Sequence, residues 1–240
     1  MKKQLLNVFA VLMVSSFAIA QQGDGGTPKT FALKSTSTSF DARTFATPDI
    51  NKLKAEDAIV DIKKTGPWRF GYNNKVSLNM LNSGTWTQLA DGGKVWRLEL
   101  ICQNALTVNL TLDGVVLPEG NELYVYNKNK DFILGKFTSY HLYEGELGTE
   151  LVPGNTAIVE YYVAPQNKES IAKLNINTVT HGYRSASEFQ EKAFGSSGSC
   201  NMNANCSDGD PWEMQKHSAI MLVSGGDGFC TGALINNTQN

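Results

Sequence analysis

Between residue 59 and about residue 183 the apolar positions recur at every second residue. Leu106, Val108, Leu110 and Leu112 alternate with Thr107, Asn109 and Thr111, and Trp96, Leu98, Leu100 and Cys102 alternate with Arg97 and Glu99. A period of two puts successive side chains on opposite sides of an extended chain, so the pattern predicts strands with one buried and one wet face. On this reading strands run over residues 59–62, 68–72, 85–89, 95–102, 106–112, 122–126, 132–137, 157–163 and 171–179. Turn sequences part them: Asp91-Gly92-Gly93, Asp113-Gly114, Pro118-Glu119-Gly120, residues 127–130 and Pro153-Gly154-Asn155. Glycine and asparagine tolerate the positive φ that tight turns need, and proline pre-sets a turn's first corner. Short strands so separated predict an antiparallel β-sandwich, and roughly 120 residues suffice to bury its core.

The flanks have a different texture. Met1-Lys2-Lys3 precedes an apolar run over residues 5–18, broken by Asn7 and Ser15-Ser16, and Ala18-Ile19-Ala20 then sets small residues ahead of Gln21. This is the pattern of a secretory signal peptide over residues 1–20, cleaved between Ala20 and Gln21, because the run is shorter than the roughly 20 apolar residues of a spanning helix. Export places the mature chain in a secreted or periplasmic compartment, with no membrane association after signal removal, where disulfides persist. Residues 21–58 form a polar leader and short helix. Residues 21–47, rich in Gly, Ser and Thr, read as an extended or mobile arm, and Thr47-Pro48-Asp49 starts a helix that ends near Asp57. After the β-rich block of residues 59–183, residues 184–199 read as a linker ending in Gly195-Ser196-Ser197-Gly198-Ser199, open to proteolysis.

Residues 200–240 look like the opening of a second β unit. An apolar run over residues 218–223 meets a glycine-rich hairpin turn at residues 224–228 and then Phe229-Cys230-Thr231-Gly232-Ala233-Leu234-Ile235. The polar residues 236–240 offer no terminating structure, so the sequence reads as truncated there.

Composition agrees with a globular β protein: of 240 residues, 41% are hydrophobic and 18% charged, with Gly 22 against Pro 7. Lys and Arg total 21 against 23 Asp and Glu, and a net charge of −2 leaves no basic footprint for nucleic acid. Cys102 lies in a strand-like run and reads equally as a buried thiol, whereas Cys200, Cys206 and Cys230 suggest a disulfide framework whose other halves are missing. His141, His181 and His217 stand apart from one another, and no His or Cys pair has metal-ligand spacing, so neither a metal nor a cofactor is expected. Asp208-Gly209-Asp210 lacks the further ligands of a calcium loop, and the glycines of residues 224–228 follow no phosphate-loop pattern. Glu144, Glu146, Glu150 and Glu160 are candidate carboxylates for glycoside hydrolysis, which requires a pair about 5 Å or about 6.5–9.5 Å apart. Trp68, Tyr72, Trp86, Trp96, Tyr124, Tyr126, Tyr161 and Tyr162 offer a sugar platform on a secreted, non-catalytic binding or adhesion module, although most read as core or strand-pairing residues.

A resemblance sharpens the C-terminal reading. Cys230-Thr231-Gly232-Ala233-Leu234-Ile235 resembles the strand that precedes the catalytic histidine in trypsin-like serine peptidases. Gly198-Ser199-Cys200-Asn201, the step of six to Cys206, Gly209-Asp210 and the step of twenty-four to Cys230 resemble the mature start of bacterial lysyl endopeptidases. The resemblance implies the start of a double β-barrel serine endopeptidase, cleaving after lysine in protein or peptide substrates. It also implies that Cys230 pairs with a cysteine just after the catalytic His, with Cys200 and Cys206 bridged further downstream. The catalytic triad would lie beyond Asn240, leaving this stretch inactive by itself. Residues 59–183 are similar to the β-rich pro-regions of such precursors, which act on their own peptidase domain. Lys192 and the Phe194-Gly195 bond are the candidate processing sites.

Overall fold

The structure, a computed structural model of the chain, describes residues 23–33, 39–63, 65–168, 173–185, 188 and 219–233. The described chain begins with β1 (Ala42–Phe45), α1 (Ile50–Lys63), β2 (Trp68–Arg69), β3 (Gly71–Asn79) and β4 (Thr85–Gln88). It continues through β5 (Lys94–Cys102), β6 (Thr107–Val116), β7 (Glu122–Asn127), β8 (Ile133–Phe137) and β9 (Leu147–Gly148). β10 (Val152–Pro153), β11 (Thr156–Val163), β12 (Lys173–Gly182), β13 (Ala219–Ser224) and β14 (Asp227–Ala233) complete it. The mainly β, antiparallel architecture read from the alternation is what forms. One sheet runs β1-β5-β11-β7-β8 with β4 also on β5, and a second runs β10-β6-β12-β3 with β9 on β6. No sheet among the described residues closes into a barrel.

The alternating residues make the core. Trp96, Leu98, Leu100 and Cys102 of β5, with Leu123, Val125, Val159 and Tyr161, form one buried cluster with Val108, Leu110, Leu112, Ile176 and Val179 of the second sheet. Each such side chain contributes about 1.5–3 kcal/mol by leaving water. The indole of Trp96 escapes a buried-donor penalty by donating to the Ser83 carbonyl at 2.8 Å.

Four local expectations change. The opposite face of the first sheet is covered, not wet: every residue of β11 is buried, as are Arg97 and Glu99 of β5. The cover comes from the leader read as a mobile arm. Its Phe31 and Phe40 pack on Tyr126, Tyr124 and Ile158, with Phe31 edge-on to Tyr126 at 4.9 Å. The Arg97 guanidinium stacks 4.4 Å from the Phe40 ring. Thr30 donates from its backbone N (3.1 Å) and Oγ1 (2.5 Å) to the buried Glu160 carboxylate, which also accepts from Tyr126 Oη at 3.1 Å. Asp24 and Gly25 exchange backbone bonds with Lys136, and β1 runs parallel to β5 from Ala42↔Glu99 to Phe45↔Cys102.

The helix also outruns its expected end, since α1 continues to Lys63 and residues 59–62 are not a strand. Ile59 and Ile62, spaced at a helical turn, point outward at 56% and 82% exposure. The turn expected at Asp113-Gly114 lies inside β6. Gly114 takes φ +57 where the pairing with β12 shifts register, so the signal marks a bulge. The strand expected to stop at Tyr72 splits into β2 and a β3 that runs on through polar residues to Asn79 along the edge of β12.

Candidate functional site

The C-terminal hairpin meets the rest of the fold at a seam made by α1, β2 and the end of β12. Asp49 caps α1 by accepting from the Lys52 amide at 3.0 Å. Leu53, Asp57 and Asp61 then follow at intervals of four and share the inward side of the helix. Asp57 is buried, and two guanidiniums and a phenol satisfy it. Arg69 Nε donates to Oδ1 at 2.8 Å, Tyr183 Oη donates to Oδ2 at 2.7 Å, and Arg184 Nη1 stands 3.4 Å from Oδ2. Arg184 bridges further, to Asp61 Oδ2 at 2.7 Å and the Arg69 carbonyl at 3.0 Å, with its guanidinium 4.7 Å from the Trp68 ring. Arg69 also reaches Glu56 at 3.0 Å and the Leu53 carbonyl at 3.1 Å.

These contacts set the local electrostatics. Burial works against the Arg69 cation, but the bonds to Glu56 and Asp57 outweigh it and raise the pKa. Burial, with the bond to Asp57, likewise holds the Tyr183 phenol protonated well above its usual range. The network ties β2 to α1 and leaves the backbone beside it available for pairing.

β14 uses that edge. It pairs antiparallel with β2, Asp227 opposite Arg69 and Gly228 opposite Trp68. Just past β2 the amides of Phe70 and Gly71 both donate to the Gly226 carbonyl, at 2.7 and 2.9 Å. Asn109 Nδ2 donates to the Gly225 carbonyl at 3.1 Å. The fit excludes side chains: a Cβ on Gly226 would lie 2.3 Å from the Gly71 carbonyl oxygen. Gly225 takes φ +55, and a Cβ there would lie 2.9 Å from Asn73 Nδ2. Burial pushes the Asp227 carboxyl pKa above its usual value; Arg69 opposes this and Asp57 adds to it. The arrangement binds a strand by backbone hydrogen bonds, as in β-augmentation.

Of the residues singled out in the sequence, Cys230 lies on β14 opposite Leu222. Ala20, Gln21, Lys192, Phe194, Gly195, Cys200, Cys206 and His217 lie outside the described residues. The hairpin turn expected at residues 224–228 joins β13 to β14. Cys102 is a free, fully buried thiol whose pKa burial pushes up to about 12. Of the candidate carboxylates only Glu160 is buried, held by the leader, while Glu144, Glu146 and Glu150 are exposed. Trp96, Tyr124, Tyr126, Tyr161 and Tyr162 are buried in the sheets, so no stacking platform combines them. His141 Nδ1 accepts from the Thr138 amide at 3.0 Å, and His181 is fully buried with neither ring nitrogen hydrogen-bonded among the described residues. The Asp57, Arg69 and Arg184 network was missed. Its one local signal is a pair of acids at an interval of four, Asp57 and Asp61, amid apolar helix positions.

Taken by its sheets, the described chain is a mainly β protein whose C-terminal hairpin forms a third sheet with β2. That hairpin falls within residues 194–240, which match the family model described as lysyl endopeptidase, C-terminal domain. No solved structure matches the chain. Among the described residues no helix is long and apolar enough to cross a membrane.

Proposed function

We propose that the chain is part of a secreted precursor of a serine endopeptidase, cleaving after lysine, in which residues 59–183 are a β-rich pro-region, preceded by the leader of residues 21–58, and residues 200–240 begin the peptidase domain. The family match over residues 194–240 carries this reading. Two further features support it. The signal-like residues 1–20 suit export, and the β13–β14 hairpin, inside the matched stretch, pairs with β2 of the preceding region. In this reading the pro-region supplies β2 as a partner strand for the hairpin. Processing in residues 184–199, at Lys192 or at Phe194-Gly195, frees the peptidase, whose triad is carried by sequence following Asn240. Cys200, Cys206 and Cys230 form disulfides with downstream cysteines there.

The test is to read the frame past the codon for Asn240, express the whole precursor with its export signal, and assay the medium. The expected result is a Thr-Ala-x-His-Cys continuation, a mature N-terminus within residues 193–200, and hydrolysis of lysine esters in preference to other esters. A continuation without His and Cys, and no esterase activity, would overturn the reading in favour of a non-catalytic secreted β module.

A further inference from the structure

We propose that the notch between β2, β3 and β6 is a selective receptor for a glycine-glycine-aspartate turn, and that its hold on the β13–β14 hairpin is strongest in acid and relaxes as pH rises. The selectivity follows from Gly226, where a Cβ would meet the Gly71 backbone, and from Gly225, where the left-handed φ strains any other residue and a Cβ would press on the Asn73 amide. The pH dependence follows from what docking does to the next residue. β14 pairing sets Asp227 opposite Arg69, whose guanidinium is bonded to Glu56 and Asp57 of α1, and Asp57 in turn accepts from Tyr183 and stands beside Arg184, which bonds Asp61. Arg69 is the cation nearest in register, and it is already bonded to Glu56 and Asp57.

Docking therefore exchanges water around the Asp227 carboxylate for a shared cation and a buried acid. Its pKa is raised on docking, first by burial and then by Asp57, against the pull of Arg69. A carboxyl that binds its proton more tightly when docked favours docking most below its free value of 3.8, and that advantage is lost as pH climbs through the docked value. The inference adds regulation to the seam on which the precursor reading draws. Under that reading, a chain cut between residues 186 and 218 would hold its two parts together more tightly in acid than at higher pH.

Hydrogen exchange on the intact chain tests the latch without requiring any cut. The amides of Phe70 and Gly71 report docking, because both donate to Gly226. With intrinsic exchange rates divided out, their protection is expected to fall as pH rises from about 4 to about 7, about tenfold for each unit by which docking raises the carboxyl pKa. Asp227→Asn should keep the protection and remove its pH dependence. Gly226→Ala should lower it by about tenfold or more at every pH, while amides of β5 and β11 stay protected and so exclude general unfolding. A flat wild-type profile, an unchanged slope in Asp227→Asn, or full protection in Gly226→Ala would each overturn the proposal. Processing of the precursor is read separately, so the two ideas can fail independently.

Discussion

Replacing Thr30 by valine removes one hydroxyl and leaves the side chain's shape. The hydroxyl donates to Glu160 Oε2, a carboxylate that is fully buried, and the remaining partners are Tyr126 Oη on the same oxygen and the Thr30 amide on Oε1. A hydrogen bond to a charged group contributes about 1.5–3 kcal/mol. The methyl that replaces the hydroxyl is itself buried and returns about 0.8 kcal/mol, so the net loss expected for Thr30→Val is about 1–2 kcal/mol. In a domain of this size that lowers Tm by on the order of 2–8 °C. Urea unfolding followed by tryptophan fluorescence, with Trp96 in the core, measures it at constant m-value. A loss under about 0.5 kcal/mol, the range of ordinary surface substitutions, would refute the claim that the leader is packed onto the sheet. A double-mutant cycle with Tyr126→Phe should show coupling, because both hydroxyls serve the same oxygen.

Three further outcomes are expected. Arg184→Met should cost about 3 kcal/mol by removing the buried guanidinium that bridges Asp61, Asp57 and the Arg69 carbonyl, while Asp57 keeps Arg69 and Tyr183, read as a lowered urea midpoint. Cys102, with its thiol pKa pushed up to about 12 and no exposed surface, should resist a thiol reagent in the native protein and react fully on unfolding; rapid native labelling would contradict its burial. Burial lowers the pKa of His181 from 6.5, so the unfolded chain binds the extra proton first. Stability should therefore fall as pH drops from about 6.5 through the folded value, and His181→Leu should flatten that slope in urea midpoints measured across pH.

The sheets were legible because β5 and β6 place apolar residues on alternate positions, and that alternation needs only local sequence. What covers the second face was not. β11 reads as a near-continuous apolar run, the mark of a strand buried on both sides, and Glu160 in its middle is the sign that a polar partner comes from elsewhere. That partner, Thr30, lies in a stretch whose composition suggests an arm, and only Phe31 and Phe40 betray an apolar contact. α1 overran its expected end because Ile59 and Ile62 also fit a strand, and propensity over four residues does not separate the two. The hairpin turn was readable from Gly225-Gly226, but its seat was not, since Arg69, Phe70 and Asn109 are brought to it only by the fold. Asp57 and Arg184 meet for the same reason.

The partnership of Thr30 with Glu160 spans 130 positions of sequence. The leader is made before the strands it packs on, so it has no carboxylate to bind, and β1 no β5 to lie beside, until those later strands exist. Contacts this distant are slow to form because a long loop must close before any of them is rewarded. The leader is thus obliged to wait, and the sandwich stays open on one side until β5, β7 and β11 are all in place.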